Sequence, residues 1–145
     1  MQQRGYNQAL ATFFLEKLCN EADSVYKLGY AITLGKQSAY ECLRTTYASL
    51  MDRLSKLMSK NSDELRIDLL EACWASHKSK SAKGEDKSKL STFLGTLSTD
   101  ERAALIMVDG AVLLPEEAAK VIGCDEVEIR KTLAKARQAL IKKFS

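Results

Sequence analysis

The chain has few of the residues that break helices and few that bind metals. Its 145 residues include one proline and one histidine, and aromatic residues make up 7% of the chain. Few prolines and few aromatics favour helices over sheets. No apolar run approaches the about eighteen residues that cross a bilayer, and the N-terminus lacks the apolar stretch of a signal peptide. We therefore expect an all-α, cytoplasmic protein that does not associate with membranes.

The cysteines form no recognisable metal or disulfide motif. They are scattered without any C-x-x-C spacing, at Cys19, Cys42, Cys73 and Cys124. A zinc site needs four ligands held tetrahedrally, so we expect buried, reduced thiols and no metal. No nucleophile stands together with a base and an orienting group, and no glycine-rich phosphate loop is present. We expect neither enzyme activity nor a cofactor.

A segment in the middle of the chain has almost no apolar residue. Its sequence, SHKSKSAKGEDKSK, covers residues 76–89, and such a composition cannot bury enough surface to fold. Five lysines minus two acidic residues give it a charge of +3, which equals the net charge of the whole chain. We therefore predict two small, formally neutral helical domains, over 1–75 and 91–145, joined by a flexible linker over 76–90.

The N-terminal part shows the apolar periodicity of a helical bundle. Gly35 predicts a break, and Ser38 with Glu41 three residues later predicts a new capped helix. The predicted helices extend from Leu10 to Tyr26, from Ser38 to Leu57, and from Ser62 or Asp63 to Trp74. Their apolar stripes are most simply the inside of the bundle.

Capping signals divide the last fifty residues into short helices. Ser98 with Glu101, and Asp125 with Glu128, have the spacing of capping boxes, in which a side chain at each end satisfies a free backbone N–H. Pro115 suits the first position of a helix between them, because its missing N–H would have no partner there. Three helices are therefore predicted in this part of the chain.

Glycines mark the turns between these helices. Gly110, after Asp109, and Gly123 are expected to end helices in the left-handed conformation. The third helix carries an apolar stripe made of Ile129, Leu133, Ala136, Leu140 and Phe144. Beside this stripe lie the basic residues Arg130, Lys131, Lys135, Arg137, Lys142 and Lys143. A short helix, a tight turn and a basic helix are typical of a DNA-binding helix-turn-helix, although a basic helix face is more often simply solvated.

The sequence LGTLSTDERAALIMVDGAVLLPEEAAKVIGCDEVEIRKTLAKARQAL, residues 94–140, resembles region 4 of sigma-70 family transcription factors of the extracytoplasmic-function type. The matching features are Leu97, Arg102, the EEAA sequence, the Gly-Cys turn and the Ala-Arg pair before Leu140. The resemblance implies that the third helix contacts promoter DNA. The candidate residues for this contact are Glu126, Glu128, Arg130, Lys131 and Lys135.

The sequence VYKLGYAITLGKQSAYECL, residues 25–43, resembles sigma region 2, in which a helix leads through a glycine turn into the helix that docks on core RNA polymerase. The resemblance implies a protein-binding surface on the helix from Ser38 to Leu57. The candidate contacts are Glu41, Arg44, Thr45, Met51 and Asp52. In the promoter-melting helix of that family, basic residues are present and aromatic residues stack on unpaired bases, and here Trp74, His77 and Lys78 are the candidates.

Two functions from different classes follow from these resemblances. The first is a sigma-70 family initiation factor that binds core RNA polymerase, promoter DNA and an anti-sigma factor, and that is a monomer when free. The alternative is a sigma-like interaction module, similar to the sigma-like domain of general-stress response regulators, that captures an anti-sigma factor without reading DNA. The strings LRTTYASL and PEEAAKVIGCDEVEIRKTL resemble that domain as well. A third possibility is a helix-turn-helix repressor with a helical dimerisation domain.

Overall fold

The computed structural model describes residues 12–82 and 87–145, and this part of the chain contains helices and no strand. The prediction of an all-α protein is confirmed. Helix α1 covers residues 12–20 as far as it is described. The other α-helices are α2 (Ala22–Thr33), α3 (Lys36–Ser49), α4 (Leu54–Leu57), α5 (Ser62–His77), α6 (Lys89–Leu94), α7 (Thr99–Ala104), α8 (Pro115–Ile122) and α9 (Glu126–Phe144). A 3₁₀ turn (Met51–Arg53) precedes α4, and a π turn (Leu105–Asp109) extends α7.

The residues described up to position 82 form the N-terminal half, and those from position 87 onwards form the C-terminal half. In the N-terminal half, α2 packs against α3 and α5, and Leu28 and Leu69 are buried among them. Gly29 permits the close approach of α2 and α3, because a Cβ there would lie 3.0 Å from the Cβ of Cys42. In the C-terminal half, α9 packs on α7 and α8 through Ile129 and Leu133.

The two halves share one hydrophobic core. Helix α5 packs against α8, and α2 packs against α7 and the π turn. The core cluster accordingly includes Leu69 and Trp74 from the N-terminal half and Ala118 and Val121 from the C-terminal half. The hydrophobic effect therefore holds the halves together as well as stabilising each of them. The division into domains at 75 and 91 stays a prediction.

The predicted linker contributes to two helices. Helix α5 continues to His77, which is buried, and Ser88 caps α6, which begins at Lys89. Residues 78–82, 87 and 88 lie between them outside α-helix, and residues 83–86 of the predicted linker lie outside the described part. Residues 76 and 77 of the predicted linker therefore belong to α5, and residues 89 and 90 belong to α6.

Several helix ends follow from local sequence as predicted. The Ser98 hydroxyl accepts from the backbone N–H of Glu101, whose carboxylate accepts from the N–H of Ser98, so the capping box is confirmed. Asp125 caps α9 by accepting from the N–H of Glu128, but Glu128 does not make the return bond, so only half of this predicted capping box forms. Gly123 ends α8 with a φ of 89°, which is the left-handed conformation expected of it.

Other boundaries differ from the prediction because packing decides them. The predicted helix from Leu10 to Tyr26 is interrupted at Glu21, whose buried carboxylate accepts from Arg66 of α5; Leu10 itself lies outside the described residues. Helix α3 starts at Lys36 with Gly35 as its N-cap, so Ser38 lies inside the helix and is buried. The predicted helix from Ser38 to Leu57 also ends early. Helix α3 ends at Ser49, and the residue after it, Leu50, is buried in the core.

The helix ends at the predicted stop, Asp109-Gly110, but the backbone conformation there differs from the prediction. Gly110 has a φ of −80°, and the left-handed residue is Ala111 with a φ of 59°. The turn before it is a π turn, which widens the helix by one residue relative to α geometry. The backbone N–H groups of Val112 and Leu113 both bond to the carbonyl of Met107, which closes the turn. Gly110 therefore does not act as the left-handed cap.

Candidate functional site

The exposed face of α9 carries every residue predicted there for DNA contact. Glu126, Glu128, Arg130, Lys131 and Lys135 are all exposed. Ile129, Leu133 and Ala136 of the predicted inward stripe are buried, whereas Leu140 is half-buried and Phe144 is exposed, so the stripe is shorter than predicted. Whether these residues contact DNA stays a prediction.

The N-terminal turn of α9 is acidic. Asp125 caps the helix, and Glu126 and Glu128 follow in its first turn. Glu128, Asp125 and Asp100 all lie close enough to Cys124 to help raise the pKa of its thiol, although burial is the larger cause. These carboxylates favour the positive end of the helix dipole, but they would repel the phosphates of a DNA backbone.

Both arginines of α9 are held by carboxylates of this chain. Arg130 donates to Glu126 one turn earlier, at 2.7 Å. Arg137 makes two bonds to Asp109, at 2.9 Å from Nε and 2.6 Å from Nη2, and this hydrogen bonding lowers the pKa of Asp109. The second pair ties α9 to the end of the π turn. Lys131 and Lys135 form none of the ion pairs found in the described residues, and neither do Lys142 and Lys143 of the same helix, so these exposed lysines are available to a partner.

Trp74 is not available for stacking on bases, which corrects the prediction for this residue. Its side chain is 4% exposed, and its indole Nε1 donates to the backbone carbonyl of Ile122 at 3.2 Å. The apolar ring packs into the core shared by the two halves. Lys78, four residues further along, is exposed.

The predicted protein-binding residues lie on two different elements. Glu41, Arg44 and Thr45 line one shallow groove of about 350 Å³ on α3, together with Ala48 and with Lys80 from the segment that follows α5. Met51 and Asp52 are exposed on the 3₁₀ turn, since α3 ends before them, and Met51 is 60% exposed. The structure therefore brings three of the five residues together around a concave surface that offers both signs of charge.

His77 is buried beneath this groove and contacts Thr45. It is 4% exposed, and its Nε2 lies 2.9 Å from the hydroxyl of Thr45. That hydroxyl donates to the carbonyl of Glu41 at 2.9 Å, so we infer that the His77 Nε2–H is the donor in the pair. Nδ1 is then an acceptor, and it is buried without a partner. Burial, and to a lesser degree Lys80, lower the pKa of His77.

Arg102 is a buried residue whose contacts the sequence did not reveal. It is 5% exposed and donates to the carbonyls of Ala31 (2.6 Å), Ile32 (3.1 Å) and Leu97 (2.7 Å) and to the hydroxyl of Thr99 (3.2 Å). Burial lowers the pKa of its guanidinium. The sequence did contain a signal, because Arg102 lies within the apolar sequence of α7 and matches the sigma pattern. That match did not indicate which groups Arg102 contacts.

The cysteines are free thiols. Cys42 and Cys73 are buried as predicted, whereas Cys19 is exposed and Cys124 is half-buried, which corrects the prediction for these two. Burial raises the pKa of Cys73 to about 12, so this thiol is a weak nucleophile. Among residues 12–82 and 87–145, no group of three metal-binding side chains converges. Within the same residues, no helix is long and apolar enough to cross a membrane.

The architecture is similar to that of a solved structure. The structure is similar to that of the sigma factor RpoE in its co-crystal structure with the anti-sigma factor NepR from Bartonella quintana. The TM-score is 0.68 at 17% sequence identity, and the likeness covers 89% of this chain and 94% of RpoE. The chain has a sigma-factor-like fold. No protein-family model and no curated protein matches the chain.

Proposed function

We propose that this protein is a sigma-fold regulator that acts by binding an anti-sigma protein and does not itself read promoter DNA. The observation that carries the proposal is the acidic first turn of α9, where Asp125, Glu126 and Glu128 occupy the end that a helix-turn-helix inserts into the major groove. Electrostatic attraction to phosphates supplies most of the affinity of DNA-binding proteins, and this turn opposes it.

The burial of Trp74 is in keeping with the same function, because its ring is packed against α8 and offers no stacking surface to an unpaired base while the two halves are closed. The fold is that of a protein crystallised with an anti-sigma factor. The groove of Glu41, Arg44 and Thr45 on α3 offers a preformed concave surface to such a partner.

Two measurements on the purified chain test the proposal. The first is transcription by core RNA polymerase with and without the chain, on templates that include sigma-dependent promoters. The second is binding to labelled duplexes over a salt series. We expect no initiation and only weak, sequence-independent binding, together with a stable complex with an anti-sigma protein of the same organism. Initiation at a defined start site would contradict the proposal.

The second candidate is a sigma-70 family initiation factor, and the exposed lysines of α9 favour it. Lys131 and Lys135 lie off the buried stripe and form no ion pair within the described residues. If the chain initiates transcription, we expect Lys131→Glu or Lys135→Glu to abolish promoter recognition while the helical content is unchanged. Lys56→Glu, at an exposed position of α4 that forms no ion pair within the described residues, is a control for the change of charge, and unchanged transcription by the α9 variants would remove α9 from promoter contact.

A further inference from the structure

Two buried side chains cross between the halves, and each ends at the C-terminus of a helix in the other half. Arg102 of α7 reaches the carbonyls of Ala31 and Ile32 in the last turn of α2. Trp74 of α5 reaches the carbonyl of Ile122, the last residue of α8. The two contacts are therefore reciprocal, because each half supplies one donor and one helix end.

Both helix ends have carbonyls that the neighbouring backbone N–H groups do not satisfy. The last four carbonyls of an α-helix have no partner within it. In α2, the N–H of Leu34 bonds back to Tyr30, which leaves Ala31 and Ile32 to Arg102. The last turn of α2 contains no basic residue, so the guanidinium also supplies the positive charge that favours this end of the helix dipole.

In α8, the N–H groups of Gly123 and Cys124 both bond to the carbonyl of Ala119. This leaves the carbonyl of Ile122 to the indole of Trp74. The core cluster continues around Trp74, where Ala118, Ala119 and Val121 of α8 are buried. Trp74 therefore joins a hydrogen bond to apolar packing in a single contact.

We propose that Arg102 and Trp74 form a two-point latch that holds the two halves closed in the free protein and keeps the Trp74 ring from any partner. The latch is an autoinhibitory contact, because a segment that binds through the Trp74 face must first separate α5 from α8. The two points open together, since the core clusters on either side of them belong to both halves.

A buried guanidinium suits a contact that opens. Arg102 donates only to carbonyls and a hydroxyl among its hydrogen bonds, and no carboxylate is among these partners. Burying a charge carries a large desolvation penalty. The guanidinium regains its hydration when the halves separate. While the halves are closed, the same guanidinium satisfies the carbonyls of Ala31 and Ile32, so its loss leaves buried acceptors unpaired and destabilises the closed state.

Trp74 reports on the latch directly, since it is the one tryptophan of the chain. The test compares acrylamide quenching of its fluorescence in the wild type and in Arg102→Met, which keeps the side-chain length but removes the donors. Leaving buried carbonyls without donors should raise the fraction of open chains about tenfold or more. We expect a red-shifted emission and stronger quenching, with helical circular dichroism retained. Arg53→Met, at an exposed position of the 3₁₀ turn, is the control.

A second variant decides the matter if Arg102→Met does not fold. Trp74→Phe keeps an aromatic ring but removes the Nε1–H donor. Spin labels at Gln37→Cys on α3 and Gln138→Cys on α9, both exposed, report the distance between the halves in a Cys19→Ser, Cys124→Ser background. We expect a broader and longer distance distribution in Trp74→Phe than in its parent. An unchanged distribution in Trp74→Phe, or protected fluorescence in a folded Arg102→Met, would overturn the latch.

Discussion

Glu126 and Glu128 set the electrostatic character of an exposed turn in the C-terminal half. Both are exposed, and Glu126 also holds Arg130. Neutralising them would free a guanidinium and remove two negative charges from the same turn. The preference of α9 for a protein or for DNA therefore depends on very few side chains.

We expect Glu126→Gln combined with Glu128→Gln to increase affinity for duplex DNA and to steepen its dependence on salt, by about one unit of logarithmic slope for each new phosphate contact. The measurement is fluorescence anisotropy with a labelled duplex at several salt concentrations. Glu16→Gln combined with Asp52→Asn, at exposed positions of the N-terminal half, gives the same change in net charge and should leave binding unchanged. Equal behaviour of the two double variants would show that the acidic turn does not limit DNA binding.

His77 makes stability depend on pH. Because burial lowers its pKa in the folded protein, the unfolded chain takes up a proton at a pH where the folded protein does not. The free energy of unfolding should therefore fall as the pH drops below the ordinary histidine pKa of about 6.5. His77→Gln should lose this dependence between about pH 5 and pH 7 in urea titrations, because the chain has no other histidine. The same decline in the variant would assign the effect to other groups.

The contacts of single residues show why part of the site could not be predicted. Trp74 bonds to a residue 48 positions away, His77 to one 32 positions away, and Arg102 to residues 70 and 71 positions away. Helical periodicity places a side chain on a face, but it does not say what covers that face. The solvent-facing residues of α9 needed no such knowledge, and their exposure was predicted correctly.

At the scale of elements, helix ends with a local cause were predicted and those with a tertiary cause were not. Ser98, Asp125 and Gly123 act within a few residues of themselves. In contrast, the interruption at Glu21 accompanies a pair with Arg66, 45 positions away. Sequence patterns therefore located the helices more reliably than the places where packing interrupts them.

Gly123 offers a test of one such end. Its φ of 89° lies in the left-handed region, although no atom lies within 4 Å of the position where a Cβ would be built. Gly123→Ala should therefore destabilise the protein by backbone strain alone, by about 1–2 kcal/mol. Gly95, which follows α6 with a φ of −64°, is the matched control, since Gly95→Ala should be neutral or slightly stabilising. Chemical unfolding measures both, and equal effects would contradict the role of φ.

At the scale of the whole molecule, the shared core predicts one cooperative unit. Because Leu69 and Trp74 pack in the same cluster as Ala118 and Val121, neither half can lose its structure without exposing apolar surface of the other. A sigma-factor-like fold whose halves are packed in this way presents its surfaces as one body.

We expect thermal unfolding to give the same midpoint by Trp74 fluorescence and by far-ultraviolet circular dichroism. The fluorescence follows the contact between the halves, and the dichroism follows helices throughout the chain. Coincidence of two such probes is the usual sign of a two-state transition. A fluorescence transition well below the dichroism transition would mean that the halves separate before they unfold.

The position of Ile122 along the chain also matters while the protein is being synthesised. The carbonyl that receives the Trp74 indole lies 48 residues after it. A ribosome adding roughly 5–20 residues per second takes about 2–10 seconds to cover that interval. During those seconds the nascent N-terminal half displays a tryptophan that α8 does not yet cover. The growing chain therefore passes through a stage that exposes an apolar face which the finished protein conceals.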